Sequence, residues 1–287
     1  MALLAVKALL APSFVVAASL TVRRFGPQVG GLVGGLPVVA GPILLVFALM
    51  EGSGFAARAA AATLLGLVSL TSFVVVYGRL ASRGPWPACL LAGSLAFALL
   101  TVAFSALSVP AGTALAVACG GFALGLLLLP HPGPALQPPA TPPAWDLPLR
   151  AGCALALVLA LTTAASSLGA QLSGLLAPFP VITTVLATFT HAQHGADETV
   201  RVLRGMTKGF VAYALFCFTL ASTLPTLGIA GAFALATAAA LLTQALMIHR
   251  MRTAQPARAE RTTAMLDPAS GMLEPAAALL EPAAGER

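Results

Sequence analysis

The residues with the widest chemical scope in this chain are prolines and threonines set inside long apolar runs. Pro37 and Pro42 lie in GGLVGGLPVVAGPILL; Pro178 and Pro180 lie in GLLAPFPVITT. A proline inside a helix removes one backbone hydrogen bond and frees the carbonyl four residues back. Those carbonyls belong to Val33 and Val38 in the first stretch, and to Gly174 and Leu176 in the second. In hydrocarbon a freed carbonyl needs a partner, and a solute, an ion or water can supply it. Thr183 and Thr184 follow the second break and add hydroxyls, where Ala40 and Gly41 in the first leave space. Pro37, Gly41, Pro42, Pro180, Thr183 and Thr184 are therefore the expected lining of a small-solute or ion site. The plainer alternative is that the prolines only kink helices whose backbone groups are satisfied by neighbours.

A second set of groups could gate or sense protons. His191, His194 and Asp197 or Glu198 have helix-face spacing, which suits a divalent metal or a pH switch. Glu51-Gly52 occupies the corresponding place in the first stretch. Arg58 and Arg201 each lie seven residues past the equivalent site and could pair with Glu51 and Asp197. Glu51, Arg58, His191, His194 and Arg201 are expected at the rim, where an interfacial turn of solvated groups explains them equally well. Cys89, Cys119, Cys153 and Cys217 sit in apolar runs without metal-type spacing and read as small hydrophobes. No metal site and no cofactor is expected.

Both sets recur because the chain reads as duplicated. Slid by 143 residues without a gap, Gly26 falls on Gly169, Gln28 on Gln171, Gly31 on Gly174, Leu32 on Leu175, Pro37 on Pro180 and Val38 on Val181. Further on, Gly52 meets Gly195, Arg58 meets Arg201 and Gly66 meets Gly209. The identities are weighted toward Gly, Pro, Arg and Gln, which apolar composition alone does not favour.

Composition says what medium holds these elements. The chain is 59% hydrophobic and 8% charged, with a mean hydropathy of +0.95. So few charges cannot cover a soluble core of this size, so the expected fold is all-α, a polytopic membrane helix bundle. About nine spans are expected, with ten as the alternative. Residues 1–129 form a first repeat of about five helices, 130–149 a proline-rich linker, and 150–250 a second repeat of about four. Residues 251–287 end in the degenerate repeat AMLDPAS, GMLEPAA, ALLEPAA and read as a disordered tail. Gly30/Gly34, Gly31/Gly35 and Gly121/Gly125 have the spacing that lets helices approach closely.

Charge sets the orientation. With the loops after odd-numbered spans on one side, that side takes thirteen basic residues and the other only Lys7 and Arg58. Positive charge stays inside, so the tail is expected in the cytoplasm and the N-terminus outside. Five spans in the first half then turn the second half upside down. The net charge of +6 is an orientation signal, not a nucleic-acid footprint.

Gly30–Pro37 (GxxxxGLP), Gly41-Pro42 and GLLAPFP at 174–180 resemble stretches of bacterial inner-membrane proteins with a duplicated membrane half. The layout is similar to five-plus-five inverted-repeat carriers, such as the drug/metabolite-transporter and bile-acid or auxin-carrier groups. The resemblance implies no substrate or named active residue. The expected function is a secondary transporter or permease of the bacterial inner membrane, moving a small solute by alternating access. Two alternatives remain: a non-transporting component that docks a partner, and a membrane-embedded lipid-modifying enzyme. The expected partners are the bilayer and a small molecule or ion, with room for a homodimer or a protein partner at the tail. HExxH, GxSxG and P-loop patterns are absent from the sequence.

Overall fold

Glycines and prolines set the helix boundaries. The computed structural model describes residues 2–38, 40–133, 143, 145–165 and 179–266, and every regular element among them is an α-helix. They are α1 (Ala2–Phe25), α2 (Pro27–Gly34), α3 (Ala40–Met50), α4 (Ser53–Leu80), α5 (Trp86–Ser105), α6 (Ala111–Leu128) and α7 (Asp146–Ala165). The last run, α8 (Val181–Leu266), turns out of helical geometry at Gly195 and Gly228. It is therefore three pieces: α8a (181–194), α8b (196–227) and α8c (229–266).

The chain divides into two compact units, Met1–Gln244 and Ala245–Arg287. In the second unit α8c continues to Leu266, into the stretch read from sequence as tail. α7 likewise begins at Asp146, inside the expected linker.

Within the first unit, α4 is buried on all sides, from Ala56 to Gly78. An all-round apolar helix belongs at the centre of a bundle. α8b shares its core: Leu203 and Phe210 pack in one cluster with Leu67, Phe73 and Tyr77. α5 and α6 pack against α4 and turn Leu91, Leu95, Leu99, Val102, Leu124 and Leu127 outward. Exposed apolar stripes of that extent suit lipid, not water. Four helices are long and apolar enough to cross a membrane: α4, α5, α6 and the run from Val181 to Met251.

The second expected span is two helices instead of one kinked helix. α2 stops at Gly34, and residues 35–38 form an irregular link containing Pro37 ahead of α3, which starts at Ala40. Pro42 does not break anything: it sits in the first turn of α3, where the amide it lacks would have no essential partner.

Gly52 and Gly195, paired by the 143-residue shift, share one rare backbone state: φ 88°, ψ 166° and φ 81°, ψ −173°. Only glycine adopts it readily. A Cβ at either site meets nothing within 4 Å, so a substitution is penalised through the backbone alone. Gly195→Ala is expected to cost about 1–3 kcal/mol, measured as lowered thermal stability in detergent.

Candidate functional site

The break after α2 meets the start of α8a. A cavity of about 30 Å³ is lined by Gly34, Gly35, Leu36 and Ala40 from the first break and by Phe179, Pro180, Ile182 and Thr183 from the second. Leu70 of α4 and Phe210 and Tyr213 of α8b complete it. Among the described residues no charged side chain lines this space, and its side-chain polar groups are the hydroxyls of Thr183 and Tyr213. The volume suits one water or one bare ion.

The break's backbone groups are largely accounted for. The carbonyl of Val33 accepts from the amide of Leu36 at 3.1 Å, so the expected vacancy at Val33 is filled locally. The carbonyl with an outside partner is one residue earlier. Gln244 of α8c donates through Nε2 to the oxygen of Leu32 at 2.6 Å, in a buried setting. The same amide's Oε1 is buried with no hydrogen-bond partner among the described residues. A side-chain donor reaching a carbonyl at a helix break is how membrane helices tolerate one.

α2 is held against α8b by glycine on both sides. A Cβ at Gly31 would lie 2.2 Å from the carbonyl oxygen of Val202, and one at Gly209 2.4 Å from that of Leu32. Gly205 faces the carbonyl of Gln28 at 2.3 Å in the same way. The two backbones therefore touch along two interlocking GxxxG faces, Gly31/Gly35 and Gly205/Gly209. Gly121 and Gly125 of α6 do the same against Val68 and Thr71 of α4, over side chains.

Charged groups gather at helix ends in two clusters. In the first, Asp146 is fully buried. It accepts from Nη2 of Arg23 at 2.7 Å, from Nε of Arg150 at 2.8 Å and from Nε2 of Gln193. Arg150 also stacks over the Phe189 ring, 4.9 Å from its centre. Burial pushes the Asp146 carboxyl up, but the donors from Gln193, Arg150 and Arg23 outweigh it and hold the group below the usual carboxylate range.

In the second cluster Arg204 donates to the carbonyls of Leu126, Leu129 and Pro130, and Arg79 to that of Leu128. Cations at those orphan carbonyls complement the C-terminal end of α6. Arg201 pairs with Glu198 and donates to the carbonyl of Gly133, whose amide donates to Asp197.

No family model, curated protein or solved structure matches the chain.

The geometry sorts the residues singled out from sequence. Pro180 and Thr183 line the cavity; Pro37 is buried within the irregular link beside it. A Cβ at Gly41 would sit 3.5 Å from the ring of Phe216, in ordinary contact, and Pro42 is half-buried in α3. Thr184 lines a separate, wide groove formed with α5 and α7. Pro178 lies outside the described residues.

At the rim, His191 meets the Tyr77 hydroxyl through Nδ1 at 3.4 Å, while His194 lies in the field of Arg150, Glu198, Asp146 and Arg23. The two histidines thus have different neighbours, and no group of three His, Cys, Asp or Glu able to hold a metal occurs among the described residues. Arg201 takes Glu198, not Asp197, as its ion-pair partner. Glu51 is exposed, and Arg58 is exposed beside Leu107, Ser108 and Val109, without an ion pair between the two.

Tyr213, Gln244, Asp146 and Gln193 were missed. Asp146 had a signal: it is the single acid between Glu51 and Asp197, and it stands four residues before Arg150.

Proposed function

We propose that the chain is a secondary transporter or permease of the bacterial inner membrane, moving a small solute or ion by alternating access around the two breaks. The observation that carries this reading is the cavity at which residues 34–40 and 179–183 come together. Breaks lining a shared space, and not facing lipid, are what an irregular backbone within a membrane requires. At about 30 Å³ the cavity holds little more than a water, so in this conformation the two segments are closely apposed.

The inverted repeat of about nine spans belongs to the same proposal. It is supported by the packing of α1 against α7, the two helices that begin the repeats. The cytoplasmic placement of the tail rests on the thirteen-to-two bias in basic residues.

Thr183→Val with Tyr213→Phe removes both cavity hydroxyls while keeping side-chain volume. Purified protein screened by thermal shift against ions and small metabolites should give at least one stabilising solute in the parent. That response should weaken about tenfold or more in the double variant, the equivalent of roughly 1.4 kcal/mol. An unchanged response would remove the cavity from the solute's path.

A further inference from the structure

Far larger than the central cavity is a lateral groove of about 710 Å³ between α7 and α8a, which Trp86 and Leu90 of α5 also line. That volume lies in the range of whole-ligand sites. Its walls are Leu149 and Leu157 of α7 and Val185 and Phe189 of α8a, with Trp86 and Trp145 at one end. These are the chain's two tryptophans, and both are exposed, at 41% and 57%. Tryptophan collects where hydrocarbon meets headgroups, which marks that end as the membrane–water boundary.

The same end is basic. Gln193 lines it and is held by Asp146 and Arg150. Phe189, another wall residue, lies under the Arg150 guanidinium. Two guanidiniums share one carboxylate here, leaving a net positive charge, and Arg23 is 30% exposed with only Nη2 engaged by Asp146. Further in, Thr188 lines the wall with a buried Oγ1; it lies near the Tyr77 hydroxyl without reaching hydrogen-bond geometry.

We infer that this groove is a specific site for one anionic glycerophospholipid. Its phosphate sits beside Arg23 and Gln193, and an acyl chain runs between Leu157 and Val185. Charge selects the occupant: a zwitterionic lipid fills the same volume but gains less from the uncompensated guanidinium. The site depends on membrane embedding and not on transport, so loss of the cavity hydroxyls leaves it intact.

The test uses the full chain in detergent, with native mass spectrometry for retained lipid and thermal shift for added lipid. Phosphatidylglycerol, phosphatidylcholine and free glycerol phosphate are the probes. One phosphatidylglycerol per chain should survive, binding about fivefold or more tighter than phosphatidylcholine, the share of one basic residue. Glycerol phosphate should give no shift. Val185→Trp, which fills the groove, should expel the lipid; if that variant does not fold, Ala156→Phe fills it from α7. Arg23→Gln should erase the preference between the two lipids. Equal binding of both lipids, retention in both filled variants, or a dimer that buries Trp145 in place of lipid would each overturn the inference.

Discussion

Gly209→Val is expected to yield no stable folded protein. A Cβ at this position lands 2.4 Å from the carbonyl oxygen of Leu32 and 3.1 Å from the Cα of Gly35. Both are backbone atoms, so no side chain can swing aside. Relief requires α2 to move off α8b, and that movement pulls Leu32 away from Gln244, its buried donor. It also opens the contacts at Gly31 and Gly205, which are equally tight. Overpacking of ordinary side chains costs about 1–3 kcal/mol; a rigid backbone clash repeated along a helix crossing exceeds that range, at roughly 4 kcal/mol or more. Gly120→Ala is the control, because a Cβ there meets nothing within 4 Å. Its effect should stay within about 0.5 kcal/mol. Size-exclusion profile and melting temperature in detergent read the difference. A Gly209→Val protein that elutes and melts like Gly120→Ala would mean that the α2–α8b crossing is not as described.

The GxxxG pairs show how far composition and spacing reach. Gly31/Gly35 advertise a close approach because only small residues at that interval let helices touch. Their partner, Gly205/Gly209, lies 174 residues downstream in GMTKG, and nothing local says that the two faces belong together. Proline was partly legible for a similar reason. Pro37 signals a break, but whether a proline breaks or begins a helix depends on where the helix starts, and α3 starts two residues before Pro42. Thr183 and Thr184 read alike in sequence, yet adjacent helical residues point about 100° apart. One therefore lines the cavity and its neighbour the groove. Pairings among the rim charges were the least legible. Rim charges in a membrane protein are ordinarily solvated; the Asp146–Arg150 spacing is local, but the burial of the pair between helix ends with Arg23 and Gln193 is a tertiary fact.

That burial makes Asp146→Asn the second large effect, at about 3 kcal/mol of stability. The cost arises from what is left behind. Arg150 is 5% exposed, and without the carboxylate its partners among the described residues, the Gln193 oxygen, the Phe189 ring and the new amide, carry no counter-charge. An uncompensated buried guanidinium is far more expensive than the pair it came from is valuable. The double variant Asp146→Asn with Arg150→Met should therefore recover much of the loss, since it removes the stranded charge together with its partner. Acid should mimic the single variant. The folded-state pKa of Asp146 is depressed, so its contribution is fully present above the unfolded value of about 3.9 and disappears as pH falls through the folded value. Melting curves of the parent and Asp146→Asn should thus run parallel from neutral pH down to about pH 4 and converge below it. Curves that already converge near pH 6 would mean that the carboxyl is not held ionised by Arg23, Arg150 and Gln193. A double variant no more stable than Asp146→Asn would show that Arg150 is not the group left stranded.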